Sequence, residues 1–279
     1  MNCDNVKDFE EEFKKFTGVP FAVSCNNGTA ALHLALLASG IQRDDFVLTT
    51  PFTFIATSNA ILYCGAYPLF ADIDRVNHNL DPESARATIE GYPQQMLEHL
   101  KAILCVHLFG KACDIDGLVK ICDDYNLLLI EDCAQALGVK YKGKHVGRFG
   151  SAGCFSFYAT KNLSTFEGGM VVSEEYGVAK KAEILANHGQ DSKYHSTMIG
   201  YNYRLNQVAG LIGATQLRCH PKAITSELES YNIAEGNYPC VIYDQPIYRE
   251  MGMTGDCPVA EATAREARKY FEKKNGKWG

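Results

Sequence analysis

Near the middle of the chain the sequence reads FSFYATKNL from Phe155 to Leu163 and then EGGMVV from Glu167 to Val172. The apolar residues at either end predict two short strands, and the glycine pair between them predicts a turn of the backbone. Lys161 then lies between two apolar strands, where an ammonium group is costly to bury unless it is paired or neutralised. Condensation with an aldehyde cofactor such as pyridoxal phosphate (PLP) would neutralise it, since an imine is not an ammonium. The alternative interpretation is an ordinary lysine on an exposed loop.

A second stretch supplies an acid. The run LLLIEDCAQALG from Leu127 to Gly138 predicts a strand buried on both faces, with Asp132 at its carboxyl end. In open α/β sheets ligands bind just outside the carboxyl ends of the strands. A carboxylate there can keep the pyridinium nitrogen of PLP protonated, and Gln135 could reach the ring hydroxyl. The alternative interpretation is that Asp132 caps the following segment, which is a common role for Asp.

A third stretch predicts a binding site for a phosphate group. The run VSCNNGTAALHLAL from Val23 to Leu36 passes from a strand directly into a helix of Ala and Leu. The unpaired N–H groups and the positive dipole end at the start of such a helix attract anions. Gly28 would let a phosphate approach the backbone closely, and Thr29 could add its hydroxyl. Turns of this kind are also common in proteins without a cofactor, so the pattern is weak when taken alone.

Six motifs of this chain occur together and in one order. They are Asn27–Leu32, Thr50–Thr57, Glu131–Gly138, Phe155–Leu163, Glu167–Gly169 and Gly200–Arg204. Together they resemble the DegT/DnrJ/EryC1/StrS family of PLP-dependent sugar aminotransferases, which has the aspartate-aminotransferase fold. The resemblance covers residues 9–217 and resumes over residues 238–261. Six motifs in one order are far more specific than any one of them.

The alternation of strands and helices predicts an α/β fold with a doubly wound, mainly parallel sheet. The resemblance implies the PLP-transferase fold type I, with helices on both faces of that sheet. It also divides the chain into a large PLP-binding domain, residues 1–217, and a small C-terminal domain, residues 218–279. Because the segment 218–237 is short and the charged tail 264–279 is unlike the usual ending of the family, we expect the small domain to be reduced.

The resemblance implies a role for individual residues of this chain. Lys161 would carry PLP and move protons during the reaction, and Asp132 would keep the ring nitrogen charged. Phe54 falls where the family places an aromatic ring against the face of the cofactor, and a simple core phenylalanine is the alternative. The predicted phosphate ligands are Thr29, Ala30 and Ser156.

The resemblance also implies partners. Asn202 matches an asparagine that reaches the phosphate of the cofactor in the neighbouring subunit, which predicts a homodimer. The predicted reaction converts a keto group on a nucleotide-linked deoxysugar to an amine, with glutamate as the common donor. Two alternatives stay open. One is another PLP reaction on the same scaffold, such as dehydration or aromatisation, and the other is a non-catalytic remnant with a regulatory or dimerising role.

Composition restricts the remaining classes of function. The formal net charge of −6 argues against nucleic acid or an anionic membrane as the main partner. The sequence shows neither a charged leader followed by an apolar run nor a stretch of membrane length, so we expect a cytoplasmic protein. Its 11 cysteines are scattered, which predicts reduced thiols rather than disulfides. The histidines follow no ligand spacing, and we therefore predict no metal site.

Overall fold

A central sheet of seven strands organises the computed structural model, which describes residues 4–226 and 238–277. The strands of the central sheet are β1 (Phe21–Cys25), β2 (Phe46–Thr49), β3 (Tyr67–Phe70), β4 (Leu100–Val106), β5 (Leu128–Asp132), β8 (Ala152–Ser156) and β9 (Gly169–Ser173). Two small hairpins consist of β6 (Lys140–Tyr141) with β7 (Lys144–His145), and of β10 (Gln190–Ser192) with β11 (His195–Ser196).

The order of the central strands is β1-β9-β8-β5-β4-β2-β3. β9 is antiparallel to both of its neighbours, and the other six strands run parallel to one another. The predicted doubly wound, mainly parallel sheet is therefore confirmed. Because six strands point the same way, their carboxyl ends meet at one edge of the sheet, where ligands collect in open α/β folds.

Eleven α-helices lie within the described residues. They are α1 (Asn5–Thr17), α2 (Gly28–Ala38), α3 (Ala56–Tyr63), α4 (Pro82–Gly91), α5 (Gln94–Leu97), α6 (Ile115–Tyr125), α7 (Tyr176–Ala186), α8 (Gln207–Cys219), α9 (Pro221–Ser226), α10 (Pro246–Glu250) and α11 (Pro258–Asn275). Short 3-10 turns cover Leu108–Gly110 and Ile242–Asp244. Several helices begin where the sequence places an Asp or Asn whose side chain accepts a backbone N–H of the first turn; these caps are Asp4, Asn27, Asp81, Asp114 and Asn206.

The two faces of the sheet are covered by different helices. Along β4, Ile103 and Cys105 pack in one core with α1, α4, α6 and α8, whereas Ala102 and Leu104 pack in a second core with α2, α3 and α7. This alternation is the two-residue period of a strand buried on both sides. The prediction of helices on both faces is confirmed.

The C-terminal residues pack directly on the large domain. A third apolar cluster joins Phe70 and Phe109 to Tyr243, Tyr248 and Ala260. Within residues 218–226 and 238–277 there is no strand, and residues 227–237 of the predicted small domain lie outside the described residues. The predicted division of the chain after residue 217 stays a prediction.

Two further features bear on the predictions from composition. None of the helices that the structure describes is both long and apolar enough to cross a bilayer. The cysteines among residues 4–226 and 238–277 are all free thiols, and most of them are buried in the cores. The prediction of reduced thiols is confirmed for that part of the chain.

Candidate active site

A cavity of about 1150 Å³ opens at the carboxyl edge of the sheet. Seven of the eight predicted site residues line it: Thr29, Ala30, Phe54, Asp132, Gln135, Ser156 and Lys161. They lie at the last residue of β5 or β8 or in the segments that follow β1, β2, β5 and β8, so the parallel sheet itself brings together residues that are far apart in the sequence. The remaining residue, Asn202, is exposed outside this cavity and forms a β-bridge with Asn187. Its predicted role in a neighbouring subunit stays a prediction.

The start of α2 has the features of an anion site. Asn27 caps the helix, and its Oδ1 accepts the backbone N–H of Ala30 at 2.8 Å. This leaves the N–H groups of Gly28 and Thr29 without a partner inside the helix, pointing out along the positive end of its dipole. Since the N–H of Ala30 is already bonded, its predicted contact with a phosphate stays a prediction that requires the bond to Asn27 to be shared.

Ser156 lies directly against this turn. A Cβ built on Gly28 would lie 2.7 Å from the Cβ of Ser156 and 2.9 Å from its Oγ. Any side chain at position 28 would therefore displace the end of β8. The glycine places the serine hydroxyl beside the first turn of α2, which agrees with a shared role of both elements in binding an anion.

The glycine pair after the lysine serves close packing rather than the predicted turn. Neither Gly168 nor Gly169 has a positive φ, and the left-handed residue of this loop is Phe166, with φ 67°. Gly169 instead pairs with Cys25 in the sheet, and a Cβ on it would lie 2.3 Å from the carbonyl oxygen of Asn27. The prediction that this pair makes the turn is wrong, because the space beside the phosphate-binding loop is what requires glycine.

Asp132 is the last residue of β5 and is almost fully buried. Thr57 donates its hydroxyl to Oδ2 at 3.0 Å, and the N–H of Ala134 donates to Oδ1 at 3.1 Å. One carboxylate oxygen thus caps the following turn, while the carboxylate as a whole still lines the cavity. Burial raises the pKa of the Asp132 carboxyl, and the two hydrogen bonds and the charge of Lys161 offset part of that rise. A cationic group placed beside it would lower the pKa and stabilise the carboxylate.

Lys161 lies on the loop between β8 and β9 and is half-buried in the wall of the cavity. Its backbone N–H donates to the carbonyl of Tyr158 at 2.9 Å. Burial lowers the pKa of the Lys161 amine, and attraction to the Asp132 carboxylate opposes that shift only in part. The amine is therefore a better nucleophile near neutral pH than that of an exposed lysine.

The remaining wall is aromatic and amide in character. Phe54 is 62% exposed in the mouth of the cavity, so it is not the core phenylalanine of the alternative interpretation. Both ends of the Gln135 amide are bonded: Oε1 accepts the N–H of Phe109 at 2.8 Å, and Nε2 donates to the hydroxyl of Tyr238 at 2.7 Å.

Sequence reasoning missed several residues of the cavity. Thr57 lies in one of the quoted motifs, one helical turn after Thr53, and that spacing was the available signal for a second hydroxyl on the same face. Asn26 also lines the cavity, and its Oδ1 is buried without a hydrogen-bond partner among the described residues. An unpaired buried oxygen at a cavity wall indicates a ligand that supplies the missing bond. For Tyr238, the only indication in the sequence was the family resemblance over residues 238–261.

Beneath the cavity floor lies a fully buried pair, His107 and Glu131, joined at 3.0 Å. The other imidazole nitrogen accepts the N–H of Cys113 at 3.1 Å. His107 belongs to two groups of possible metal ligands, one with Cys105 and Cys113 and the other with Glu131 and Cys133. Both nitrogens of His107 are engaged within the protein, so binding of an ion there would first break one of these hydrogen bonds.

The chain is similar to known proteins in sequence and in structure. A sequence model of the DegT/DnrJ/EryC1/StrS aminotransferase family matches residues 1–235. The chain belongs to the DegT/DnrJ/EryC1/StrS aminotransferase family. The members to which it is similar are PLP-dependent sugar aminotransferases, and solved structures of the family have fold type I, which confirms the predicted family and fold.

Three relatives illustrate the similarity. The chain is 40% identical to the GDP-perosamine synthase of Vibrio cholerae, over 78% of this chain and 58% of that protein. It is 41% identical to the UDP-N-acetyl-3-dehydro-alpha-D-glucosamine 3-aminotransferase of Acidithiobacillus ferrooxidans, over 73% and 53%. It superimposes on an aminotransferase of the family from Brucella abortus with a TM-score of 0.82 at 25% identity, over 95% and 84%. The chain thus spans little more than half the length of these two curated relatives.

The cavity fits the cofactor of this family. The first turn of α2 and Ser156 suit a phosphate, and Gly28 leaves the room that a phosphate needs beside the backbone. Asp132 suits a ring cation, Phe54 suits the face of an aromatic ring, and Lys161 offers an amine. This set of groups would fit a pyridine phosphate that carries an aldehyde carbon.

Proposed function

We propose that this protein is a PLP-dependent aminotransferase that transfers an amino group, from glutamate, to a keto group of a nucleotide-linked deoxysugar. The observation that carries the proposal is the convergence of a buried acid, Asp132, and a lysine of lowered pKa, Lys161, on one cavity that also contains the start of α2. Membership in a family of PLP-dependent sugar aminotransferases supports it.

PLP, when bound, supplies an electron sink that weakens the bonds to the α-carbon of an amino acid. The residues of this chain have separate tasks around it. Thr29 and Ser156 bind the phosphate, Asp132 stabilises the protonated ring nitrogen, and Phe54 covers the ring. The Nζ of Lys161 would hold the cofactor and, as a free amine, would act as the base that takes the proton from the α-carbon and delivers it to the carbon of the cofactor that carries the nitrogen.

The size of the cavity and the names of the relatives support the proposed substrate class. The cavity volume of about 1150 Å³ exceeds the roughly 300–1,000 Å³ that is usual for small-molecule sites, so it has room for the cofactor together with a sugar. Two of the similar proteins are named for a GDP-linked and a UDP-linked sugar, which supports a nucleotide-linked substrate here.

The proposal includes assembly and location. A homodimer would place the exposed Asn202 of one subunit at the phosphate of its neighbour, and the site would then be complete only in the dimer. The cytoplasm, where glutamate and nucleotide sugars are available, is the proposed location.

The decisive experiment is a titration of purified protein with PLP, followed by borohydride reduction and peptide mass spectrometry. The cofactor mass should be found on the peptide that contains Lys161, and Lys161→Ala should abolish it. Lys181→Ala is the matched control, because Lys181 is also half-buried but lies on α7 away from the cavity. Modification at another lysine would contradict the assignment.

An activity assay then distinguishes amino transfer from the alternative functions. Glutamate and a panel of nucleotide-linked keto sugars should give amino sugars, identified by mass spectrometry. Products that have lost water without gaining nitrogen would favour dehydration or aromatisation instead. Because the chain spans 58% of a curated relative, a protein that binds PLP but forms no product with any donor would favour a non-catalytic remnant.

A further inference from the structure

Tyr238 reaches the cavity from the C-terminal part of the chain, about 100 residues beyond Gln135, and accepts a hydrogen bond from its Nε2 at 2.7 Å. We infer that Tyr238 is a positioning residue of the active site, whose hydroxyl fixes the Gln135 amide so that it can bind the cofactor ring. The inference rests on the proposed function and adds a residue that the motifs did not indicate.

The orientation of the Gln135 amide is determined by its two bonds. The N–H of Phe109 can only donate, so the atom that faces it is the oxygen, Oε1. The nitrogen must then face Tyr238, whose oxygen accepts one of its two hydrogens. The second hydrogen remains for a ligand in the cavity. A reversed amide would present an oxygen to the ligand instead of a donor.

The ring of Tyr238 has its own contacts, which hold the hydroxyl in place. It stacks on Phe109 at a centroid distance of 6.0 Å and an interplanar angle of 30°, and it meets the edge of Phe52 at 5.7 Å and 78°. Phe109 has φ 53°, a left-handed conformation that is unfavourable for a residue other than glycine. The hydrogen bond from its N–H to Gln135 and the stacked ring of Tyr238 both favour that conformation.

The backbone that follows Tyr238 is anchored by two hydrogen bonds to other parts of the chain. Arg268 of α11 donates its Nε to the carbonyl of Pro239 at 2.9 Å, and the N–H of Ile242 donates to the carbonyl of Pro51 at 3.0 Å. The same segment contributes Tyr248 to the apolar cluster with Phe109. The C-terminal part of the chain is thus tied to the loops after β2 and β4, and Tyr238 is held at the site by more than its own side chain.

Tyr238→Phe tests the inference, because it removes the hydroxyl and keeps the ring. PLP affinity should fall roughly 3- to 10-fold, the effect of one lost neutral hydrogen bond, and the absorbance maximum of the bound cofactor should shift. Tyr243→Phe is the matched control: Tyr243 lies in the same segment and its hydroxyl is also hydrogen-bonded to a side chain, donating to Glu261 at 2.9 Å, but it does not line the cavity. The control should leave affinity and spectrum unchanged.

A double-mutant cycle distinguishes positioning from loss of stability. In a Gln135→Leu background, Tyr238→Phe should have little further effect on PLP affinity, because there is no longer an amide to orient. Equal losses in both backgrounds, or a spectrum and affinity of Tyr238→Phe like those of the wild type, would overturn the inference while leaving the proposed function intact. Failure of the wild-type protein to bind PLP would overturn both. Thermal midpoints of all variants show whether each is folded.

Discussion

Asp132 and Lys161 act on each other across one cavity: the carboxylate favours the protonated amine, and the ammonium favours the ionised carboxyl. Burial acts in the opposite direction on both, and it prevails, so the pKa of the acid is raised and that of the amine is lowered. The two residues reach this position because β5, which ends at Asp132, is paired in parallel with β8, which leads into the loop of Lys161. A cationic ring beside Asp132 together with a covalently bound Lys161 would relieve both burial costs.

The lowered pKa of Lys161 predicts a specific pH dependence of cofactor capture. Only the unprotonated amine attacks an aldehyde, so the rate of PLP binding should rise with pH and reach half its maximum below 10.5, the ordinary pKa of lysine. Removing the attraction of the acid with Asp132→Asn should move that midpoint lower still. Stopped-flow absorbance from neutral to alkaline pH measures both, and a midpoint at or above the ordinary value would contradict the burial argument.

Asp132→Asn should also reduce the rate of amino transfer, on the order of 10²-fold, because a neutral amide does not stabilise the charged ring nitrogen. The amide oxygen can keep the bond from the N–H of Ala134, and the Thr57 hydroxyl can turn to accept from the amide nitrogen, so the thermal midpoint should change little. Asp123→Asn, an exposed acid on α6, is the control and should leave kcat unchanged. Equal rates for the two variants would remove Asp132 from the reaction.

Gly28→Ala should weaken phosphate and PLP binding and destabilise the protein by about 1–3 kcal/mol, because the added methyl group overlaps Ser156. Gly177→Ala provides the contrast. Gly177 also lies in the first turn of a helix, α7, but a Cβ there has no neighbour within 4 Å among the described residues. That change should stabilise by about 0.5–1 kcal/mol. Thermal unfolding with and without inorganic phosphate measures both.

Lys161→Met should stabilise the cofactor-free protein at neutral pH, on the order of 0.5–2 kcal/mol, since it removes a partly buried ammonium. The pKa of the Lys161 amine is lower in the folded protein than in the unfolded chain. Between these two pKa values the unfolded chain binds more protons, so the stability of the wild type rises with pH in that window. The gain in free energy of unfolding from Lys161→Met should therefore shrink as pH rises through this window. Denaturant unfolding at several pH values gives the comparison, and a constant difference would argue against a buried charge.

Glu131→Gln should strongly destabilise the protein, although Glu131 does not line the cavity. Its carboxylate accepts the N–H groups of Gly147 and Phe149 at 2.7 Å each and pairs with His107. Although burial opposes it, these contacts hold the pKa of Glu131 below its ordinary value.

The free energy of unfolding should fall by about 3 kcal/mol on Glu131→Gln at neutral pH, which is the cost of breaking a buried pair. Because the folded pKa is lowered, this contribution is complete above the ordinary pKa of 4.5 and is lost as pH falls through the folded value. Glu98→Gln, at an exposed position, should be near neutral. Similar unfolding curves for the two variants would contradict the assignment.

Much of the site could be predicted because it depends on local sequence. The apolar run before Asp132 specifies a buried strand, and such a strand in a parallel sheet delivers its last residue to the ligand-binding edge. The capped start of α2 is equally local. The family resemblance added roles for Lys161 and Phe54 that no periodicity contains.

Other features depend on packing between distant segments, which hydrophobic periodicity does not report. The sequence pattern predicts only an apolar strand around Glu131. In the structure Glu131 is a buried acid whose carboxylate accepts backbone N–H groups from residues after β7. The local sequence predicts a turn at the glycine pair. The actual reason for Gly169 is its nearness to Asn27, which depends on the pairing of β1 with β9 and is not visible in the local sequence. The contact of Tyr238 with Gln135 requires the C-terminal segment to fold back over the cavity.

The position of β9 between β1 and β8 has a consequence for the order of events on the ribosome. β1 leads into the phosphate-binding turn and β8 leads to the lysine loop, and within the sheet these two strands are connected through β9, which ends at Ser173. A nascent chain that has not yet released this strand lacks the bridge between the two halves of the pocket. Cofactor capture during synthesis should therefore begin only after Ser173 has emerged, and chains stalled before that residue should not retain PLP.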